Sequence, residues 1–362
     1  MIDLVLGGKS NALSITRALG ADNITSYLVD NHIQPIAANS KYVNNAFYCD
    51  NNINTFLKIM RDYFGDTLKV LYPTSDYWLE FITNNKDALK SNSFLFFDNS
   101  TELINTFTNK LFFYQNLSQQ FPIPETIDFN GTINGDYIVK PKKSFQQNLC
   151  IDKGFTQHEK GDIPGDYLIK QAFIDVQLDQ HYSVSGIADR GCVKAAIITR
   201  KQLEYPSPGG TATMVVSVKD KYVRKQLISL AEKVLIVTGY SGAFEVEILK
   251  ENDRFWLLEV NARFWLQHIM PLSEGINFAI IYRKLLLGQA IKANVPRYYN
   301  ESKILLWLHE GSPISFFKAS FAKKLDIMNV LFFQRSVISF GYFFKGDINP
   351  LIEFIKCCLS KK

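Results

Sequence analysis

The sequence predicts an α/β protein that opens on a parallel sheet and continues into an α+β region of antiparallel hairpins. Three observations carry this. Ile2 to Leu6 is an apolar run ending in Gly7-Gly8, Ser10 to Leu19 has helical spacing, and Ser26 to Val29 is a second run ending at Asp30. Strand, turn, helix, strand is how an open parallel sheet begins. His181 to Ile187 and Cys192 to Thr199 alternate on either side of an Asp189-Arg190-Gly191 turn. Ala243 to Leu249 and Phe255 to Val260 alternate around a charged turn, Lys250 to Arg254, which predicts an antiparallel hairpin with one buried face.

The remaining elements follow in chain order. Val70 to Pro73 reads as a strand, and Thr74-Ser75-Asp76 opens a helix behind it. Phe94 to Phe97 is a further strand, with Ser100 capping a helix that starts at Thr101. Thr108-Asn109-Lys110 begins a helix reaching about Gln120, which Phe121-Pro122-Ile123-Pro124 stops. Tyr137 to Pro141 is an apolar strand that delivers Lys140 to a fixed place, and Tyr167 to Ile174 is a strand running into an irregular stretch. Arg200-Lys201 and Tyr205 to Thr211 read as a loop, in which Gly209 and Gly210 permit close approach of backbone to a ligand. Lys219 to Val237 is helical by spacing, a helix from Gly275 reaches Leu287 before Gly288, and Pro350 to Leu359 is a short helix in a tail with few motifs.

Composition narrows the function. Across 362 residues, 47% are hydrophobic and 21% charged, an ordinary globular balance at a length that suggests two or three subdomains. A formal charge of +5 suits anionic small ligands and is too weak to argue for nucleic acid. The five cysteines form no CxxC pair and the five histidines are scattered, so neither a zinc site nor a disulfide framework is expected. The opening residues lack a basic then apolar leader, and no window is long and apolar enough for a membrane span, so a cytoplasmic protein is expected. GxGxxG would need glycine where Lys9 and Ala12 stand, and a phosphate-binding GxxxxGKS/T loop would need one at Asp3. A dinucleotide-dependent oxidoreductase is therefore disfavoured.

The chemistry is concentrated in the hairpin. Glu259, Asn261 and Arg263 are spaced by two and leave one face of an extended chain together, opposite Glu247 on the partner strand. Carboxylates buried in such runs need partners. Carboxylate and amide oxygens are hard ligands that suit Mg²⁺, and a neighbouring guanidinium suits a phosphate. Glu245, two residues before Glu247, is divided between this cluster and solvent.

Glu247 followed by Glu259-x-Asn261-x-Arg263 resembles the metal-binding end of the ATP-grasp superfamily, most closely its carboxylate–amine ligases. The resemblance covers roughly residues 1 to 290, and Lys140 is its second specific point. It implies an ATP-grasp fold in three parts: an N-terminal α/β (pre-ATP-grasp) domain at 1–108, an ATP-grasp domain at 109–295 with a lid at about 122–175, and a small C-terminal extension at 296–362. It implies ATP and a pair of Mg²⁺ ions, with Mn²⁺ able to substitute, held by Glu247, Glu259 and Asn261. Lys140 and Lys110 would contact the phosphates. The hinge from Lys170 through Gln171, Ala172, Phe173 and Ile174 would receive adenine, and Asp179 the ribose. Arg263, with Lys140, would act on the transferring phosphoryl group. Arg200, Tyr205, Gly209, Gly210 and His268 would face the substrates, a small-molecule carboxylate and an amine. Homodimers are common among such proteins. One departure stands out: Lys142 to Asn148 contains no glycine, where most relatives carry a glycine-rich loop over the phosphates. That keeps a non-catalytic ATP-binding protein as the alternative.

Overall fold

Five short strands form the first layer: β1 (Ile2–Leu6), β2 (Ser26–Asp30), β3 (Val43–Tyr48), β4 (Lys69–Pro73) and β5 (Phe94–Leu95), all parallel in the order β3-β2-β1-β4-β5. The structure is a computed structural model. It describes residues 1–129, 137–143, 167–205, 210–291, 295–299, 303–309, 312–332 and 336–360, with the backbone alone at 312–314, 322 and 330–332. β1 and β4 are mostly apolar and buried along nearly their whole length, as strands inside a parallel sheet are when both faces are covered. Three of the layer's helices start where short polar side chains take up orphan N–H groups. Asn52 caps Ile53–Phe64, Ser75 caps Asp76–Asn84 and Ser100 caps Thr101–Thr108. β5 ends at Leu95, two residues short of the strand expected to Phe97.

A small antiparallel sheet follows, β6 (Thr126–Asp128), β7 (Tyr137–Pro141) and β8 (Leu168–Ala172), in the order β6-β8-β7. The third sheet has seven strands: β9 (His181–Asp189), β10 (Cys192–Tyr205), β11 (Thr211–Ser217), β12 (Gly242–Glu251), β13 (Arg254–Asn261), β14 (Ile304–Leu308) and β15 (Ser336–Phe340). Their order is β13-β12-β9-β10-β11-β14-β15, antiparallel except for the β14–β15 pair. β10 runs through Arg200 and Lys201 to Tyr205, a stretch the sequence reading had as loop. Its pairing with β11 holds it extended. Two strands of this sheet, β14 and β15, lie in the segment read as a small extension with a short helix. That helix is present as Asn349–Ser360.

The large sheet buries both faces. On one, Phe244, Val246 and Ile248 pack against Leu227, Ala231, Val234 and Leu235 of the helix Lys221–Thr238. That helix is capped by Asp220 and ends at Gly239 in the left-handed region, φ 62°. On the other face, Ile187, Ile197 and Trp307 share a core with Val5 and Leu13 of the N-terminal layer and with Phe264 and Trp265. Because side chains alternate along a strand, residues 245 and 247 must face the N-terminal layer when 244, 246 and 248 face the helix.

The parallel sheet reverses its winding between β1 and β4, where a crevice opens at the strands' carboxyl ends. That edge is tied to the chain just beyond β13. Phe264 N donates to Pro73 O at 3.3 Å, and Asn11 Nδ2 reaches Thr74 O at 3.0 Å and Phe264 O at 3.4 Å.

Candidate active site

Register assembles the site. Glu247 stands opposite Glu259 on β13 and Ser183 on β9, and Glu245 stands opposite Asn261 and Ser185. Three carboxylates converge on one amide: Asn261 Nδ2 lies 3.0 Å from Glu247 Oε1, 3.3 Å from Glu245 Oε2 and 3.4 Å from Glu259 Oε1. Glu245, which the sequence left between site and solvent, is thus drawn into the cluster. On the far side of the amide, Arg263 Nη2 donates to Asn261 Oδ1 at 3.0 Å. Arg263 Nε donates to Asp76 Oδ1 at 3.2 Å, so a residue of the N-terminal layer enters the site. In the sequence Asp76 reads only as part of a helix start.

Like charges this close oppose ionisation. Burial, then Glu247, push the Glu245 carboxyl up to about 8. Burial, then Glu259, raise Glu247. Burial acts the same way on Glu259, but Lys110, Lys140, a hydrogen bond from Glu247 and Arg263 together outweigh it and hold that carboxyl well below its usual range. Glu259 therefore stands on the lysine side of the cluster.

The small sheet brings the cations. Lys110 opens the helix Lys110–Leu117 capped by Asn109, and its Nζ is 3.8 Å from Glu259 Oε2. Its backbone N–H donates to Lys142 O at 2.9 Å, which fastens the helix to the end of β7. Lys140 Nζ donates to Gln171 Oε1 at 3.0 Å. Burial, then Lys110, lower the Lys140 ammonium to about 8, with Glu259 and Glu247 opposing. Lys201 on β10 also acts on Glu245, Glu247 and Lys140 and lies 4.0 Å from Glu204.

The other expected residues stand around this cluster or apart from it. Arg200 alternates to the opposite face from Lys201, beside Tyr182, so of that basic pair Lys201 is the one on the site's face. The Gln171 side chain is 3% exposed and bridges Lys140 to Thr126 Oγ1 at 3.0 Å, so it is committed within the small sheet. Lys170 points to the other face of that sheet, its Nζ 5.3 Å from the centre of the Tyr137 ring. The Ala172 N–H is taken by Glu125 O at 2.8 Å, and Phe173 and Ile174 begin the irregular link to β9. Asp179 sits in the single turn Leu178–Gln180 before β9 and accepts from Gln180 Nε2 at 3.4 Å. Tyr205 is 45% exposed beside Lys318, Gly210 is buried next to β11, and Gly209 lies outside the described residues. So does the glycine-free stretch from Ser144. His268 is a core residue, 2% exposed, hydrogen-bonded to Trp265 O at 2.7 Å and packed on the rings of Phe264 and Trp265. That corrects its expected place at the substrate.

Among the described residues, no three His, Cys, Asp or Glu side chains stand ready as a metal cage. The donors are carboxylates and one amide, all hard oxygens when the amide oxygen turns inward. Such a set suits an ion that completes its shell with phosphate oxygens, as Mg²⁺ does, and the mutual repulsion of the carboxylates is what a cation relieves. The residues fit the ion.

Residues 107–265 match the sequence model of the ATP-grasp domain family. The chain carries an ATP-grasp domain. A biotin carboxylase of Haemophilus influenzae is 26% identical over 192 residues, 51% of this chain and 39% of the relative. The chain thus spans about two fifths of that protein's length. The ATP-grasp fold is matched over more of the molecule. The N5-carboxyaminoimidazole ribonucleotide synthetase of Thermus thermophilus superposes with a TM-score of 0.60 at 14% identity, covering 82% of this chain and 81% of that one. An L-amino acid ligase of Bacillus licheniformis superposes with a TM-score of 0.59 at 13% identity, covering 82% and 77%. Among the described residues, no helix is long and apolar enough to cross a membrane.

Proposed function

We propose that the chain is an ATP-dependent ligase that joins a carboxylate to an amine through an acylphosphate, releasing ADP and phosphate. The observation that supports it is the convergence of Glu245, Glu247, Glu259 and Asn261, with Lys110 on one side and Arg263 on the other. A carboxylate resists attack by an amine because its leaving group would be oxide. Transfer of the γ-phosphoryl group from ATP to a carboxylate oxygen supplies a good leaving group. The amine nitrogen then bonds to the acyl carbon and loses a proton, and phosphate departs.

Such a reaction needs positioning and charge neutralisation more than a nucleophilic side chain. Glu247, Glu259 and Asn261 would hold a pair of Mg²⁺ ions, with Mn²⁺ able to substitute, which neutralise phosphate charge when bound. Lys140 and Lys110 steady the phosphates and Arg263 faces the transferring group. Adenine lies at the hinge that follows Lys170 and Gln171, where Phe173 and Ile174 leave the small sheet, with Asp179 toward the ribose. In this reading residues 1–108 help to hold the substrate, 109–295 the nucleotide, and 296–362 complete the body. The setting is cytoplasmic and a homodimer is the expected assembly. The H. influenzae relative is named a biotin carboxylase and the B. licheniformis neighbour an L-amino acid ligase, which supports the ligase class.

The test is ADP and phosphate release from Mg·ATP with amino acids and sugar acids, each supplied with and without amines. Release that depends on a carboxylate and is lost in Glu259→Ala is the expected result. ATP that binds but is never consumed favours the non-catalytic reading, to which the glycine-free Lys142–Asn148 stretch gives its support.

A further inference from the structure

Asn261 is held from two sides. Its Nδ2 faces Glu245, Glu247 and Glu259, while its Oδ1 accepts from Arg263 Nη2 at 3.0 Å. Only this orientation satisfies both sides, because carboxylates accept and a guanidinium donates. A hard cation among the carboxylates demands the reverse, with the amide oxygen turned inward. Once turned, the amide presents its NH₂ group to Arg263 Nη2, donor against donor, and that contact is lost.

Arg263 is not then left loose. Its Nε remains 3.2 Å from Asp76 Oδ1, and Nη1 donates to Phe264 O at 3.2 Å. Asp76 is 8% exposed, lies in the first turn of a helix capped by Ser75, and belongs to a different layer from the hairpin. The nearby bond from Phe264 N to Pro73 O fixes the two layers at this point. Asp76 itself makes no hydrogen bond to the three glutamates among the described residues.

We propose that Asp76 is a positioning residue that keeps Arg263 anchored through Nε, while cation loading turns the Asn261 amide and releases Nη2 toward the transferring phosphoryl and acyl groups. The inference rests on the ligase reading above and deepens it: Arg263 is aimed only after nucleotide and cation are in place. An Arg263 released without Asp76 would swing on its long stem and lose the orientation that the reaction requires.

The experiment is NMR of the full chain labelled with ¹⁵N-arginine, with Arg263→Lys to assign the signal, before and after saturation with Mg·ADP. In the ion-free protein the Arg263 Nε–H is protected, and Asp76→Asn speeds its exchange at least tenfold. On Mg·ADP binding the Nη signals of Arg263 shift while Nε–H stays protected. In turnover, Asp76→Asn lowers kcat at least tenfold and leaves the Mg·ADP Kd within twofold, and Asp76→Glu recovers part of the loss. Arg263 Nη signals that do not move on saturation overturn the amide turn. Unchanged Nε–H exchange in Asp76→Asn overturns the positioning role, as does a tenfold loss of Mg·ADP affinity, which would make Asp76 part of the metal site. A wild-type chain that binds no Mg·ADP sinks the ligase reading and the amide turn together. The exchange rate in the ion-free protein still decides the role of Asp76.

Discussion

Replacing Arg17 by Met should detach the C-terminal segment from the N-terminal layer. The guanidinium is fully buried, and among the described residues its acceptors include Asp347 Oδ2 at 2.9 Å, Asp347 O at 3.0 Å, Tyr342 O at 2.6 Å and Gly341 O at 3.4 Å. It also lies 5.1 Å from the centre of the Phe344 ring. Met keeps most of the packing volume but removes every donor. Asp347 is 3% exposed and would become a buried carboxylate without its cation, which costs about 3–5 kcal/mol in comparable buried pairs. Bonds from Ser40 Oγ at 2.8 Å and Lys41 N at 2.9 Å survive and set the loss toward the lower end. The carbonyls left without a donor offset that reduction, so about 3–5 kcal/mol remains the expectation. Urea unfolding reads the total, and limited proteolysis reads where the chain opens. The expected result is a lower midpoint with new cleavage between residues 336 and 360. A loss below about 1 kcal/mol with an unchanged digest would refute the reasoning, because a buried pair truncated on one side cannot be that cheap.

Two further outcomes follow from the same geometry. Lys140→Met should weaken Mg·ADP binding about tenfold, since one desolvated charge contact is worth roughly 1.4 kcal/mol or more. The wild-type affinity should fall as pH rises past about 8, where burial lets the Lys140 ammonium deprotonate. Calorimetric titration at several pH values checks both. His268 is drawn down to about 4 from 6.5 by burial, so between those values the unfolded chain binds a proton that the folded chain refuses. Its contribution is intact above pH 6.5 and is lost as pH falls toward 4, by up to about 3 kcal/mol. Urea midpoints measured across that range should slope less in His268→Gln.

The hairpin was legible because its chemistry is local. Glu259, Asn261 and Arg263 lie on alternate residues, and strand geometry alone sends them to one face. The same rule applied to Ala243–Leu249 would have placed Glu245 with Glu247, since both are out of phase with Phe244, Val246 and Ile248. Read as loop, the Arg200-Lys201 pair offers no way to choose between its members, whereas β10 stays extended to Tyr205 and alternation puts Lys201 on the site's face. β14 and β15 are short apolar runs, Ile304–Leu308 and Ser336–Phe340, that period cannot separate from helix. Only pairing fixes them as strands, β14 with β11 far back in the chain and β15 with β14. The Asp76–Arg263 contact leaves no mark in the sequence, because it joins two layers whose packing no local pattern states.

The most direct test of the central claim is a calorimetric titration of ADP into the full chain with and without Mg²⁺, repeated with Glu259→Ala. Binding is expected to require Mg²⁺ and to be lost in the variant while its melting temperature without ligand holds. ADP binding that ignores both Mg²⁺ and the Glu259 carboxylate would contradict it.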